Sequence, residues 1–185
     1  MNTQLSQKTS SRTFPTNISL SILEILLLTL IGAVGVVLHA RFRFPLHLPG
    51  HWGVVFMALL FSGRLFSNKK YASSLSSLGA AFMLLLPLGF RDPFMPLLYM
   101  APGLLLDVFY SVFRSKNHHF IFVGLLSGFA YMTLPVLRLI LSLTAGIFYG
   151  SFAGGFWYPM VMHFVFGATG GLIALGVFTL IKKKI

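Results

Sequence analysis

Hydrophobic residues in this 185-residue chain come in long, nearly unbroken stretches separated by short breaks rich in Lys, Arg, Pro and Gly. The stretches show neither the strict alternation of a half-buried strand nor the one-sided stripe of a helix resting on a water-soluble core. A helix needs roughly 20 apolar residues to cross the hydrocarbon of a bilayer, and the stretches are of that order. The pattern predicts an all-α polytopic membrane protein, a bundle of about six transmembrane helices over 18–40, 46–66, 73–90, 94–113, 119–148 and 157–181.

Two of these segments depart from a plain crossing. Pro49 and Gly50 interrupt the second and leave only 51–66 unbroken, so it is expected to be broken or partly re-entrant. The fifth is longer than a crossing needs, and a tilt or a bend at Pro135 would absorb the excess. Residues 1–17 are polar and rich in Ser and Thr, with Lys8 and Arg12 and no acid. The apolar stretch behind them is too long for a signal-peptide core and lacks a small-x-small cleavage site. They read as a flexible cytoplasmic tail before a single six-helix transmembrane domain over 18–185.

Composition sharpens the class. With 56% hydrophobic and 9% charged residues, the chain has too few charges to cover a soluble surface. A formal net charge of +11 would elsewhere suggest a nucleic-acid partner, but here the basic residues sit in short runs between apolar segments. That placement fixes orientation in a membrane, and no nucleic acid is expected. With the N-terminus inside, Lys8, Arg12, Arg64, Lys69, Lys70, Arg114, Lys116 and Lys182–Lys184 share the cytoplasmic side, and only Arg41, Arg43 and Arg91 face outward. The asymmetry predicts an even number of crossings in a cell membrane with both termini cytoplasmic.

Small residues recur at four-residue spacing: Gly124 with Gly128, Gly167 with Gly171, Ser73 with Ser77 and Ala81, and Ser76 with Ala80. Such stripes let helix backbones approach closely, either within one bundle or against another membrane subunit. The third segment carries them on two faces and is the better candidate for docking.

Candidate chemistry gathers on the outward side. Between the first two segments lies RFRFPLHLPGHWG, with His47, His51 and Trp52 close together. The two histidines are spaced i and i+4, a metal-ligand spacing on a regular helix. Pro49 and Gly50 lie between them and argue against such a helix; a plain interfacial loop, a lid over an organic ligand and, least favoured, a metal site stay open. In GFRDPFMP, Arg91 stands beside Asp92, either as a local ion pair or as a substrate contact. Within the membrane a charge is costly and marks a functional position by default. Arg138 and His163 are placed at a shared depth towards the outer side, and Tyr99 enters from that side with a hydroxyl. Arg138 has the alternative of snorkelling to headgroups. Stacking faces are expected from Trp52 and Trp157, charge complementarity from Arg91 and Arg138, and hydrogen bonds from His47, His51 and His163.

On the inner half, Glu24 and Asp107 are expected to pair with an inner-loop base such as Arg114, with a proton relay as the alternative. The absence of cysteine removes disulfides, thiolate metal sites and thiol nucleophiles. There is no GxSxG, HExxH or GxxxxGK[ST], and three acids leave little for hydrolysis. A haem would need His39 and His163 at matching depth with no other supporting feature. Neither an enzyme nor a bound cofactor or metal is expected.

The stretches FPLHLPGHWGVVFMALLFSGRL and LGFRDPFMPLLYMAPGLLLDVFY, set in a six-helix chain of this length with an outward loop after the first helix, resemble the second-to-fourth helix region of S components. These are the substrate-binding subunits of energy-coupling factor transporters. LHLPG is also similar to the MHIPDG opening of that family's nickel and cobalt branch, though His47 is internal here and the free amine that ligates metal there is missing. The resemblance implies a membrane binder of a vitamin or a metal with no ATPase of its own, and a vitamin-like small molecule is the expected ligand. Its implied partners, besides membrane lipid, are a transmembrane coupling protein and two cytoplasmic ATPases. It also implies a ligand held near the outer face beneath the loop after the first helix. The alternatives are a non-transporting membrane scaffold or assembly subunit of a larger complex, and a stand-alone small carrier.

Overall fold

The computed structural model describes residues 16–42, 48–90, 92–113 and 119–184. Within them the chain forms six α-helices and no β-strand. They are α1 (Thr16–Arg41), α2 (Gly53–Phe66), α3 (Ala72–Leu84), α4 (Met95–Val112), α5 (Phe120–Ala145) and α6 (Trp157–Lys182), with a 3-10 turn at Gly150–Phe152. The all-α membrane bundle stands, but the number of full-length spans is corrected. By length and apolarity four helices can cross a membrane: Ser21–Arg41 within α1, α4, α5 and α6. At 14 and 13 residues, α2 and α3 reach only about 20 Å at the α-helical rise, against roughly 30 Å of hydrocarbon.

Both shortenings have local causes. The chain before α2 is turned by Gly50, whose φ of 80° is open to glycine at little cost, and helix begins only at Gly53. α3 stops at Leu84 because Pro87 disfavours helical backbone at Leu86. The expected tail over 1–17 falls almost wholly outside the described residues, and α1 already includes Thr16 and Asn17. α5 runs through Pro135 as one helix and ends in a left-handed cap at Gly146.

The short α2 is the centre of the bundle. It packs against each of the other five helices, with Met57, Leu60 and Phe61 wholly buried. A helix enclosed by protein need not match the bilayer. The outer surface is apolar instead: Leu23, Leu26 and Leu30 on α1, Leu97, Leu104 and Val108 on α4, and Val165, Ile173 and Val177 on α6 are all exposed. Side chains of this kind in such numbers face lipid, not water.

Glycine sets the distances between helices. A Cβ on Gly32 of α1 would land 1.6 Å from the Ser76 carbonyl oxygen of α3, and one on Gly79 of α3 would land 1.9 Å from the Thr29 oxygen of α1. Gly103 of α4 meets Ser73 and Ser77 on another face of α3, and Gly167 and Gly171 of α6 meet Ser127 of α5. The Ser127 hydroxyl donates to the Gly167 carbonyl oxygen at 2.7 Å. The small-residue stripes are thus used inside the bundle, both faces of α3 included.

One end of the bundle is tied by charge. Asp107 of α4 accepts from the Ser73 and Ser74 amides at 3.1 and 2.7 Å, capping the exposed donors at the start of α3. It also lies 3.6 Å from Arg64 of α2, whose guanidinium covers the Tyr110 ring at 4.5 Å and donates to the Lys69 carbonyl. Glu24 of α1 pairs with Lys69 at 3.6 Å and accepts from Ser67 at 2.5 Å. Glu24 and Asp107 are thus each paired with a base, Lys69 and Arg64 respectively; Arg114 lies outside the described residues.

Gly32→Ala is expected to destabilise the bundle by about 1–3 kcal/mol, because the added methyl meets backbone and cannot be accommodated by a side-chain rotation. Gly176, where an added methyl would meet nothing within 4 Å, supplies the control. Thermal unfolding in detergent should show a clear loss for Gly32→Ala and none for Gly176→Ala; equal behaviour would mean that α1 and α3 are not in this contact.

Candidate functional site

At the opposite end the α1–α2, α3–α4 and α5–α6 connections come together. The turn at 48–52 lies over the helix ends, held by the Gly53 amide donating to the Gly50 carbonyl at 2.8 Å. Beneath it is a cavity of about 240 Å³ whose walls include His39, Leu48, His51, Trp52, Met95, Tyr99, Tyr131, Leu134, Arg138 and His163. Two further hollows flank the turn. One of about 300 Å³ lies between His39, His51, Trp52 and Leu88–Phe90, and one of about 520 Å³ lies towards Ser151, Gly154, Gly155 and Tyr158. His51 borders all three.

The cavity depends on two glycines in and beside the turn. A Cβ on Gly50 would sit 2.7 Å from Nδ1 of His163, so the backbone of the turn rests directly on that imidazole. A Cβ on Gly53 would strike the Tyr131 ring at 2.2 Å. Only bare backbone at these positions lets the first turn of α2 and its lead-in approach α5 and α6.

The walls are largely aromatic. Trp52 lies 4.8 Å from the His39 ring and 5.9 Å from the His51 ring. Tyr131 stacks on His163 at 5.1 Å, and Phe56 of α2 meets Tyr99 edge-on at 4.8 Å. The Tyr99 hydroxyl and His39 Nδ1 are 3.4 Å apart. Trp52, Tyr99, Tyr131 and His163 are all buried.

Arg138 supplies the positive charge. Its Nη2 lies 3.5 Å from the Asp92 carboxylate, with each side chain 18% exposed, and 3.1 Å from the Met95 sulfur. Its guanidinium is 5.5 Å from the Tyr149 ring centroid. Asp92 also accepts from the Phe94 amide at 3.0 Å, fixing the chain just before α4. Desolvation and the facing Asp92 carboxylate hold the Tyr149 phenol above its ordinary pKa, so it stays protonated at neutral pH.

Of the residues singled out in the sequence, His51, Trp52, Tyr99, Arg138 and His163 share this cavity. Trp157 does not: it is 70% exposed, lies against Phe156 and borders none of the three hollows. His47 and Arg91 lie outside the described residues. Asp92 is paired with Arg138, 46 positions away, where a local pair with Arg91 was one expectation. His39, Met95 and Tyr131 are additions. Spacing could have found them, since Tyr131 and Arg138 are i and i+7 on α5, and Met95 and Tyr99 are i and i+4 on α4. Among the described residues no group of three or more His, Asp or Glu side chains is placed to hold a metal ion.

Comparison with protein-family models, curated proteins and solved structures returns no match to this chain.

The Asp92–Arg138 pair should show coupling of about 1–2 kcal/mol in a double-mutant cycle with Asp92→Ala and Arg138→Met, since both groups are largely but not fully withdrawn from solvent. Additive losses in thermal unfolding would mean that the pair contributes nothing.

Proposed function

We propose that this chain is a membrane-embedded binding protein that captures a small polar molecule, acting as the substrate-binding subunit of an energy-coupling factor type importer. The observation that carries this reading is the convergence of His51, Trp52, Tyr99, Arg138 and His163, from separate parts of the chain, on one cavity beneath the turn before α2. A few placed polar groups among aromatic walls are the usual make-up of a small-molecule site. The position under the connection after the first helix agrees with where the resemblance puts the ligand. A scaffold subunit, the alternative from another class, has no need of such convergence; its polar residues would face headgroups or a partner.

In this reading the cavity opens to the outer side of a cell membrane and both termini are cytoplasmic. The Lys69 end, with Lys69, Lys70 and Lys182–Lys184, then faces the cytoplasm, where the coupling protein and its ATPases would be engaged. The ligand is a vitamin-like small molecule.

Native mass spectrometry of the gently solubilised protein from its own host should find a bound small molecule together with an ATPase-containing partner. A stable complex with neither would favour the scaffold. For the ligand so identified, Arg138→Ala, His163→Ala and Trp52→Ala should each weaken binding about tenfold or more, the equivalent of roughly 1.4 kcal/mol, whereas Trp157→Ala should not. Orientation is open to direct test because the chain has no cysteine of its own. A single cysteine at Gly154 should react with an impermeant maleimide in intact cells, and one at Lys183 only after lysis; the reverse pattern would turn the cavity inward.

A further inference from the structure

His51 and His163 share one local feature. His51 Nδ1 lies 2.7 Å from the Leu48 carbonyl oxygen, and His163 Nδ1 lies 2.7 Å from the Pro159 carbonyl oxygen. A carbonyl oxygen can only accept, so each Nδ1 carries the ring proton and donates it. In a neutral imidazole the other nitrogen is then bare. Two Nε2 lone pairs are thereby assigned to rings that border the cavity. His51 Nε2 is buried and has no hydrogen-bond partner among the described residues, so a buried acceptor is left waiting for a donor.

The remaining walls add shape and charge. Trp52 gives a flat indole surface, flanked by the His39 ring. Arg138 meets Asp92 through Nη2 alone, and its buried Nε has no partner among the described residues, so the cation keeps donor capacity to spare.

Resting on the reading of this cavity as a ligand site, we infer that it selects a small planar molecule that donates hydrogen bonds. O–H or N–H groups meet His51 and His163, a flat ring lies against Trp52, and an acidic group is directed to Arg138. His51 and His163 are its specificity-determining residues, because a ligand offering only acceptors there would set lone pair against lone pair.

Two measurements on the full-length protein in micelles test this. In two-bond proton–nitrogen spectra of protein labelled with 15N-histidine, both rings should be protonated at Nδ1 and bare at Nε2. A proton on Nε2 of either ring, in a neutral or a cationic form, overturns the inference and leaves the ligand-site reading standing. The second measurement compares 4-hydroxybenzoate with 4-methoxybenzoate by calorimetry, since the two share ring and carboxylate and differ in one donor. The hydroxy acid should bind about tenfold tighter or more. Its single hydroxyl has one proton to donate, so one of the two variants His163→Phe and His51→Phe, the one that removes the ring it meets, should erase that preference; retention of the preference in both overturns the assignment to these rings. Equal binding of the two acids overturns the donor rule alone, and binding of neither overturns it together with the ligand-site reading.

Discussion

Backbone contact at glycine is the constraint on which this bundle rests. In a lipid solvent, apolar side chains gain nothing by leaving the hydrocarbon for a protein interior of the same polarity, so helices are held by close packing and by hydrogen bonds across their interfaces. Gly32 against Ser76, Gly79 against Thr29, Gly103 against Ser77 and Gly170 against Val54 are approaches that no larger residue would permit. Together they draw α1, α3, α4 and α6 in until the short α2 is enclosed. The cavity follows from the same geometry, because Gly50 and Gly53 bring the turn and the start of α2 onto His163 and Tyr131.

The two ends of the molecule use charge differently. At the Lys69 end, Glu24 and Asp107 each have a cation and at least one hydrogen-bond donor, and Asp107 completes the start of α3 as well. These groups are occupied with holding the connections. At the other end Arg138 has one acid at 3.5 Å and a donor left over, and the surrounding imidazoles are held by backbone carbonyls on one side only. Buried polar atoms without a partner among the described residues occur at both ends, Arg64 Nε and the Ser73 hydroxyl at one and His51 Nε2 and Arg138 Nε at the other, but only the second pair belongs to side chains that line the cavity beneath the turn.

Hydrophobic patterning was sufficient to read six helices and the membrane class, because apolar residues all round a helix carry that information in their number alone. It overstated how many helices are full-length spans. Gly50 and Pro87 turn the chain away from helix within 48–52 and 85–90, and Leu85 and Leu86 are exposed in a connection, where their apolarity alone read as part of a span. Costly intramembrane groups pointed to this end of the bundle: Arg138 and His163 both line the cavity beneath the turn. Trp157 illustrates the limit. An aromatic residue at a helix start is equally compatible with a pocket and with the headgroup level, and in the structure Trp157 is exposed and lines none of the three hollows. Tyr131 was within reach of its i, i+7 spacing to Arg138, but that spacing does not tell that the ring stacks on His163.

The enclosure of α2 has a consequence for how the chain is made. α2 is synthesised early, but one side of it, including the Gly53 and Val54 carbonyls, is covered by α6 at Gly170, the last helix in chain order. A nascent chain stopped after α5 has the tryptophan, the tyrosines and the arginine of the cavity but lacks His163, the ring on which the turn rests. Cavity and core are therefore closed by the same event, the arrival of α6.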